Sequence, residues 1–105
     1  MKIDIISEKA TRRLSPNDKV RMIIERVKGK RILILEERLK PEEQVELIKE
    51  TMLEIDFKEF NGIEVITFNG EKKGGKITVV APSDIVEVTR EGDFISLAYT
   101  VGCTK

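Results

Sequence analysis

"RILILE", residues 31–36, sets four apolar side chains, Ile32 to Leu35, in an unbroken run. A strand with one wet face alternates apolar and polar residues, whereas an unbroken run belongs to a strand covered on both faces. We therefore place this segment in the interior of a sheet. The residues before it, "SPNDKVRMIIERVKGK" (15–30), read as a helix. Ser15 suits the N-cap, Pro16 the first helical position, and Asp18 the positive end of the helix dipole. Val20, Ile23, Ile24 and Val27 recur on one face, and Lys28 and Gly29 close the helix.

Further out, "KIDII" (2–6) alternates around Ile3 and Ile5 as a first strand, and "SEKATRRL" (7–14) is a polar, basic connection with room for a helical turn. A strand, a helix and a second strand in that order make a parallel pair. On the other side, "ERLKPEEQVELIKETMLEID" (37–56) reads as a second helix, with Pro41 at its first position and Glu42 and Glu43 in its first turn. Val45, Ile48, Met52 and Ile55 are expected to form its buried stripe. After Asp56 the period shortens. "GIEVITF" (62–68), "KITVVA" (76–81), "DIVEVT" (84–89) and "FISLAYT" (94–100) have strand character, separated by turn signals. "PSDIVEV" also has the form of a helix start capped by Ser83, but its β-branched content favours a strand. The expectation is one α+β domain over residues 1–105, in two layers. It runs β-α-β-α and then adds three or four mostly antiparallel strands to one mixed sheet.

Composition narrows the chemistry. Charged residues are 36% of the 105, and hydrophobic residues are 40%, enough for a folded core. Histidine is absent, which excludes His-based acid–base catalysis, Ser-His-Asp and Cys-His nucleophiles, and most transition-metal sites. The single Cys103 has no intrachain partner. No apolar stretch approaches the ~20 residues of a membrane span, and the start of the chain lacks the form of a signal peptide, so a cytoplasmic location away from membranes is expected. Few Asn and Gln beside many Lys, Arg, Glu and Ile suggest a hot habitat.

"GEKKGGKI" (70–77) matches the first seven positions of a phosphate-binding loop. The match fails at Ile77, where a Ser or Thr is needed for Mg²⁺, and the following residues are β-like rather than helical. A hairpin loop is the better reading. Lys72 and Lys73 at its tip are candidates for phosphate contact.

Zero net charge conceals segregation. Residues 1–40 hold twelve Lys or Arg against six Asp or Glu, and residues 41–68 hold two against eight. Lys9, Arg12, Arg13, Lys19, Arg21, Arg26, Lys28 and Lys30 are therefore candidate RNA or phosphate contacts, although the few aromatic residues do not form a base-stacking run. The plain alternative is a solvated charged surface. Glu36–Glu37 and Glu42–Glu43 flank the second helix, and as a ligand or Mg²⁺ site they compete with the simpler dipole explanation. Met22 and Leu47 fall off their helix stripes, Met22 by about 160° at 100° per residue, and are candidate partner or dimer contacts. No catalytic residue, resident metal or cofactor is assigned.

"LSPNDKVRMIIERVKGKRILILEERLKPEEQVELIKETMLEID", "FNGIEV" and "KITVVAPSD" together resemble an archaeal family of small proteins, domain of unknown function 2073. The resemblance implies an archaeal cytoplasmic protein beside an Era-like GTPase, with that GTPase or RNA as partner. It carries over no catalytic residue. The leading expectation is a non-enzymatic interaction module binding RNA, ribosomal material or a GTPase. The alternatives are a small ligand binder or enzyme built on carboxylates and lysines, and a self-associating structural protein.

Overall fold

The computed structural model describes residues 2–56, 58–69, 76–83, 86–91 and 94–99. In chain order the elements are β1 (Lys2–Ile6), α1 (Glu8–Thr11), α2 (Pro16–Lys28), β2 (Arg31–Leu35), α3 (Pro41–Glu54), β3 (Ile63–Asn69), β4 (Lys76–Pro82), β5 (Val86–Glu91) and β6 (Phe94–Tyr99). The fold is α+β with a mixed sheet, ordered β1-β2-β4-β3. β1 and β2 are parallel, with Ile3 opposite Ile32 and Ile5 opposite Ile34. β4 runs antiparallel to both β2 and β3. The "RILILE" segment is an interior strand, as its unbroken apolar run requires.

The two sides of β2 feed two cores. Leu33 and Leu35 join Val20, Ile23, Ile24 and Val27 of α2, together with Leu39, Leu47, Phe60 and Val80. Each such fully buried aliphatic side chain contributes roughly 1.5–3 kcal/mol relative to exposure. On the opposite face, Ile32 packs with Val79 and Ala81, and Ile34, Ile66, Ile77 and Leu97 lie against them. Leu97 belongs to β6. β5 and β6 pair with each other as a separate two-stranded sheet, and Leu97 brings it onto this face instead of extending the four strands. The segment 86–91 is a strand, not a helix. Ile3 and Ile5 share the face of their partners Ile32 and Ile34 yet stay exposed.

Local signals account for the helix starts. Ser15 accepts a hydrogen bond from the Asp18 amide at 3.1 Å. Ser7 caps α1 by accepting from the Ala10 amide at 3.3 Å. At the end of α2 the left-handed residue is Lys30, with φ of 64°, one position beyond the Gly29 cap.

The β3–β4 register pairs Asn69 with Lys76, and Lys76 continues into β4. The element that begins at Lys76 is this strand, not a helix whose N-terminus could face a phosphate. Lys72 and Lys73, and likewise Cys103, lie outside the described residues.

Candidate interaction face

The orientation of α3 begins with one carboxylate. Glu43 stands at the third helical position, and its Oε1 accepts from the Lys40 amide at 2.8 Å, which fixes the helix entry. Its Oε2 meets the Lys19 ammonium at 2.8 Å. Lys19 also reaches Glu37 Oε1 at 3.1 Å, and the Thr11 hydroxyl donates to the other Glu37 oxygen. The Thr78 hydroxyl donates to the Glu37 carbonyl at 2.7 Å. Lys19 and Glu43 are 5% and 4% exposed, so this is a buried ion cluster joining α2, the β2–α3 connection and α3. Among the described residues it leaves no buried side-chain polar atom without a partner.

Burial alone raises the Glu43 pKa, but hydrogen bonds from Lys19 and the Lys40 amide, with the Lys19 charge, bring it below its ordinary value. Burial likewise lowers the Lys19 pKa, and the bonds to Glu43 and Glu37 reverse this and raise it. At the far end of the helix pair, Lys28 meets Glu54 at 2.6 Å. N-terminal end is thus tied to N-terminal end, and C-terminal end to C-terminal end. α2 and α3 run the same way.

These ties turn α3 opposite to the expectation from its sequence. The row facing the core is Glu43, Leu47 and Thr51, spaced i, i+4, i+8. Leu47 is 2% exposed, so it is a core residue and not a surface contact for a partner. Thr51 is tolerated there because its hydroxyl donates to the Leu47 carbonyl at 2.7 Å. Two polar residues with satisfied bonds, Glu43 and Thr51, thus take buried places on the core-facing row. The expected buried stripe lies in solvent instead: Val45 is 59% exposed, Ile48 60%, Met52 69% and Ile55 37%. Leu53 is exposed as well.

Between this stripe and β3 runs an open groove of about 400 Å³. Gln44, Leu47, Ile48, Thr51 and Met52 form the α3 side, and Ile63 and Val65 the β3 side, with Asn61, Gly62 and Ser83 at the connections. Gly62 adopts a φ of 119°, which an L side chain rarely adopts. Its carbonyl accepts from the Ser83 amide at 3.0 Å, which closes the turn beside the groove.

The candidate phosphate-binding cations divide. Lys19 is removed from that set, because it is buried between two carboxylates. Arg12 pairs with Glu8 at 3.5 Å, Arg26 with Asp4 at 3.1 Å, and Lys28 with Glu54. Lys9, Arg13, Arg21 and Lys30 are exposed. Met22 is half-buried, packs against the core, and lines a second depression with Ile6, Ala10, Thr11 and Leu14. Glu37 and Glu43 are committed to Lys19, whereas Glu36 and Glu42 are exposed. Among the described residues no group of three or more acidic or cysteine side chains is placed to hold a metal ion. Nor, among them, is any helix long and apolar enough to cross a membrane.

A family model described as origin-associated protein OapB matches residues 11–99. The chain belongs to that family. This corrects the likeness to domain of unknown function 2073, and with it the inferred neighbourhood of an Era-like GTPase. No curated protein and no solved structure matches significantly. The span matched to OapB takes in all of α2, α3, β3 and β4, so every groove residue lies inside it. The exposed Ile3 and Ile5 precede it.

Proposed function

We propose that this OapB-family chain is a non-enzymatic interaction module that binds a partner protein along α3. The observation that carries the reading is the exposure of Val45, Ile48, Met52 and Ile55, the most regular apolar repeat of that helix. Contiguous apolar patches of this kind mark interaction sites on folded proteins. The groove beside them gives the patch a concave edge in which anchoring side chains would seat. A protein partner is favoured over RNA because the N-terminal cations do not act as one set. Lys19 is buried, and Arg12, Arg26 and Lys28 are engaged by carboxylates. The family description, an origin-associated protein, fits a module that works by attachment.

The test is site-specific photo-crosslinking of the full chain in its native cells, with and without RNase. A crosslinker at position 48 or 52 is expected to trap one protein in both treatments. The same group at exposed Asn17 is expected to trap none, and Met52→Asp to abolish the adduct at position 48. Adducts formed only from Arg13 or Lys9, and lost with RNase, would overturn the reading in favour of RNA.

A further inference from the structure

We infer that the free edge of β1 pairs with the β1 edge of a second copy of this chain, antiparallel about a two-fold axis, so that one sheet runs through both copies. This surface is separate from α3 and does not depend on it. β1 ends the strand order, and among the described residues it pairs with β2 alone. The Glu36 amide donates to the Ile6 carbonyl at 3.0 Å, so the backbone groups of Ile6 point at β2. Backbone groups alternate between the two edges of a strand. Those of Lys2 and Asp4 therefore point at β2 as well, and those of Ile3 and Ile5 point away from it. Unpaired edge groups are a template for a further strand. β1 contains no proline, and its register with β2 runs from Lys2 to Ile6 without a bulge. The open depression of about 450 Å³ beside it touches residues of both faces of β1, Ile3 through Ile6, and so runs along this edge, with Leu14 and Met22 on its far wall.

The occupant follows from the register that satisfies every outward group. Centring the pair on Asp4 sets Ile3 opposite the other copy's Ile5 and Ile5 opposite its Ile3, and residues opposed in this way exchange both backbone bonds. Centring it on Ile3 or on Ile5 carries one isoleucine past the end of the other strand. Ile3-Asp4-Ile5 reads the same in both directions, so like side chains meet. On the face away from α2, Ile3 and Ile5 of both copies close into an apolar row that extends Ile32 and Ile34. In the single chain they are more than half exposed, because β5 packs on β3 and β4 and leaves the β1 side of this face bare. On the other face Asp4 meets the other Asp4, which bare carboxylates would disfavour. Each is held by its own Arg26 at 3.1 Å and Arg31 at 3.2 Å, so the charge that would guard the edge is compensated. A strand of any protein meets the backbone edge; the symmetric sequence and the compensated Asp4 are what select a copy.

The test is sedimentation velocity of the full chain from low micromolar to near-millimolar concentration, with Ile5→Pro, Ile5→Lys and Met52→Asp alongside, each checked for folding by circular dichroism. A reversible dimer is expected. The Ile5 amide points outward, so proline there removes a bond between copies and none to β2. Ile5→Pro is expected to raise the dissociation constant about tenfold or more, as the loss of a bond in each copy implies. Ile5→Lys, a common guard of free edges, is expected to act in the same direction, and Met52→Asp to leave the dimer unchanged. In chains carrying Cys103→Ser, a mixture of Ile3→Cys and Ile5→Cys is expected to form a disulfide between the two variants on air oxidation. Little is expected from either alone, because diagonal positions lie beyond disulfide reach. A chain monomeric at every concentration would overturn the inference and leave the edge to a strand of another protein. A dimer unmoved by both Ile5 variants would overturn it too, and one dissociated by Met52→Asp alone would place the second copy on α3 instead. Ready disulfides in Ile3→Cys alone would overturn the Asp4-centred pairing on which the choice of occupant rests.

Discussion

Lys19→Met is expected to lower the free energy of unfolding by about 3–5 kcal/mol, the usual cost of leaving a buried charge without its partner. The substitution preserves an aliphatic stem of similar length but strands two carboxylates. Among the described residues, Glu43, 4% exposed, loses its one ion-pair partner, and Glu37 keeps the Thr11 hydroxyl as its side-chain partner. Glu43→Gln is expected to cost less, because the amide oxygen still accepts from the Lys40 amide and Lys19 retains Glu37. Urea unfolding of the three proteins at neutral pH checks the order. Equal stability of wild type and Lys19→Met would show that the cluster does not hold α3.

The same cluster sets a pH dependence. Glu43 is held below its ordinary 4.5, so its contribution is present above that pH and is lost as acid carries the solution down through the depressed folded value. Lys19 is held above its ordinary 10.5, so its contribution is full below 10.5 and is lost as pH rises through the elevated folded value. Between those limits the cluster contributes a plateau. Lys19→Met should flatten the acid limb, since Glu43 keeps the Lys40 amide but loses the Lys19 bond and charge that offset its burial.

Leu47→Ala is expected to cost about 2–5 kcal/mol, as buried leucines do. Ile48→Ala, one residue on, is expected to stay within about 0.5 kcal/mol of wild type, because the higher helix propensity of alanine offsets the minor loss of packing. Leu47 is 2% exposed and sits in the core formed by α2 and β2, whereas Ile48 is 60% exposed. From sequence spacing alone the costs would be reversed. Thermal or urea unfolding of the two variants reads the orientation of α3 directly, and a larger loss for Ile48→Ala would contradict it.

The contrast shows where sequence reasoning reached and where it stopped. α2 was legible because its signals are local and agree: Ser15 caps it, Pro16 starts it, and Val20, Ile23, Ile24 and Val27 all face the core. β2 was legible because an apolar run has one structural explanation. α3 was not, because its apolar repeat and its buried row differ. Its facing is set by Lys19, twenty-four residues before Glu43 in the sequence, and periodicity within one helix cannot register a bond to another. Burial of Thr51 depends on a bond to its own helix backbone, which has no apolar signature. The hairpin β5–β6 has ordinary strand character, and only Leu97 shows which face it covers. The candidate interaction face was therefore visible as residues but assigned to the wrong side of the surface. Of the two off-stripe residues, Leu47 proved to be core and Met22 half-buried.

The most direct test of an exposed apolar face is hydroxyl-radical footprinting of the dilute native chain, read residue by residue by mass spectrometry and referenced to the chain in denaturant. The account predicts that Ile48, Met52 and Leu53 are modified in the native protein at a large fraction of their denatured rates, while Leu47 and Ile23 are strongly protected. Protection of Ile48 and Met52 together with modification of Leu47 would contradict it, and the docking face on α3 would have to be abandoned.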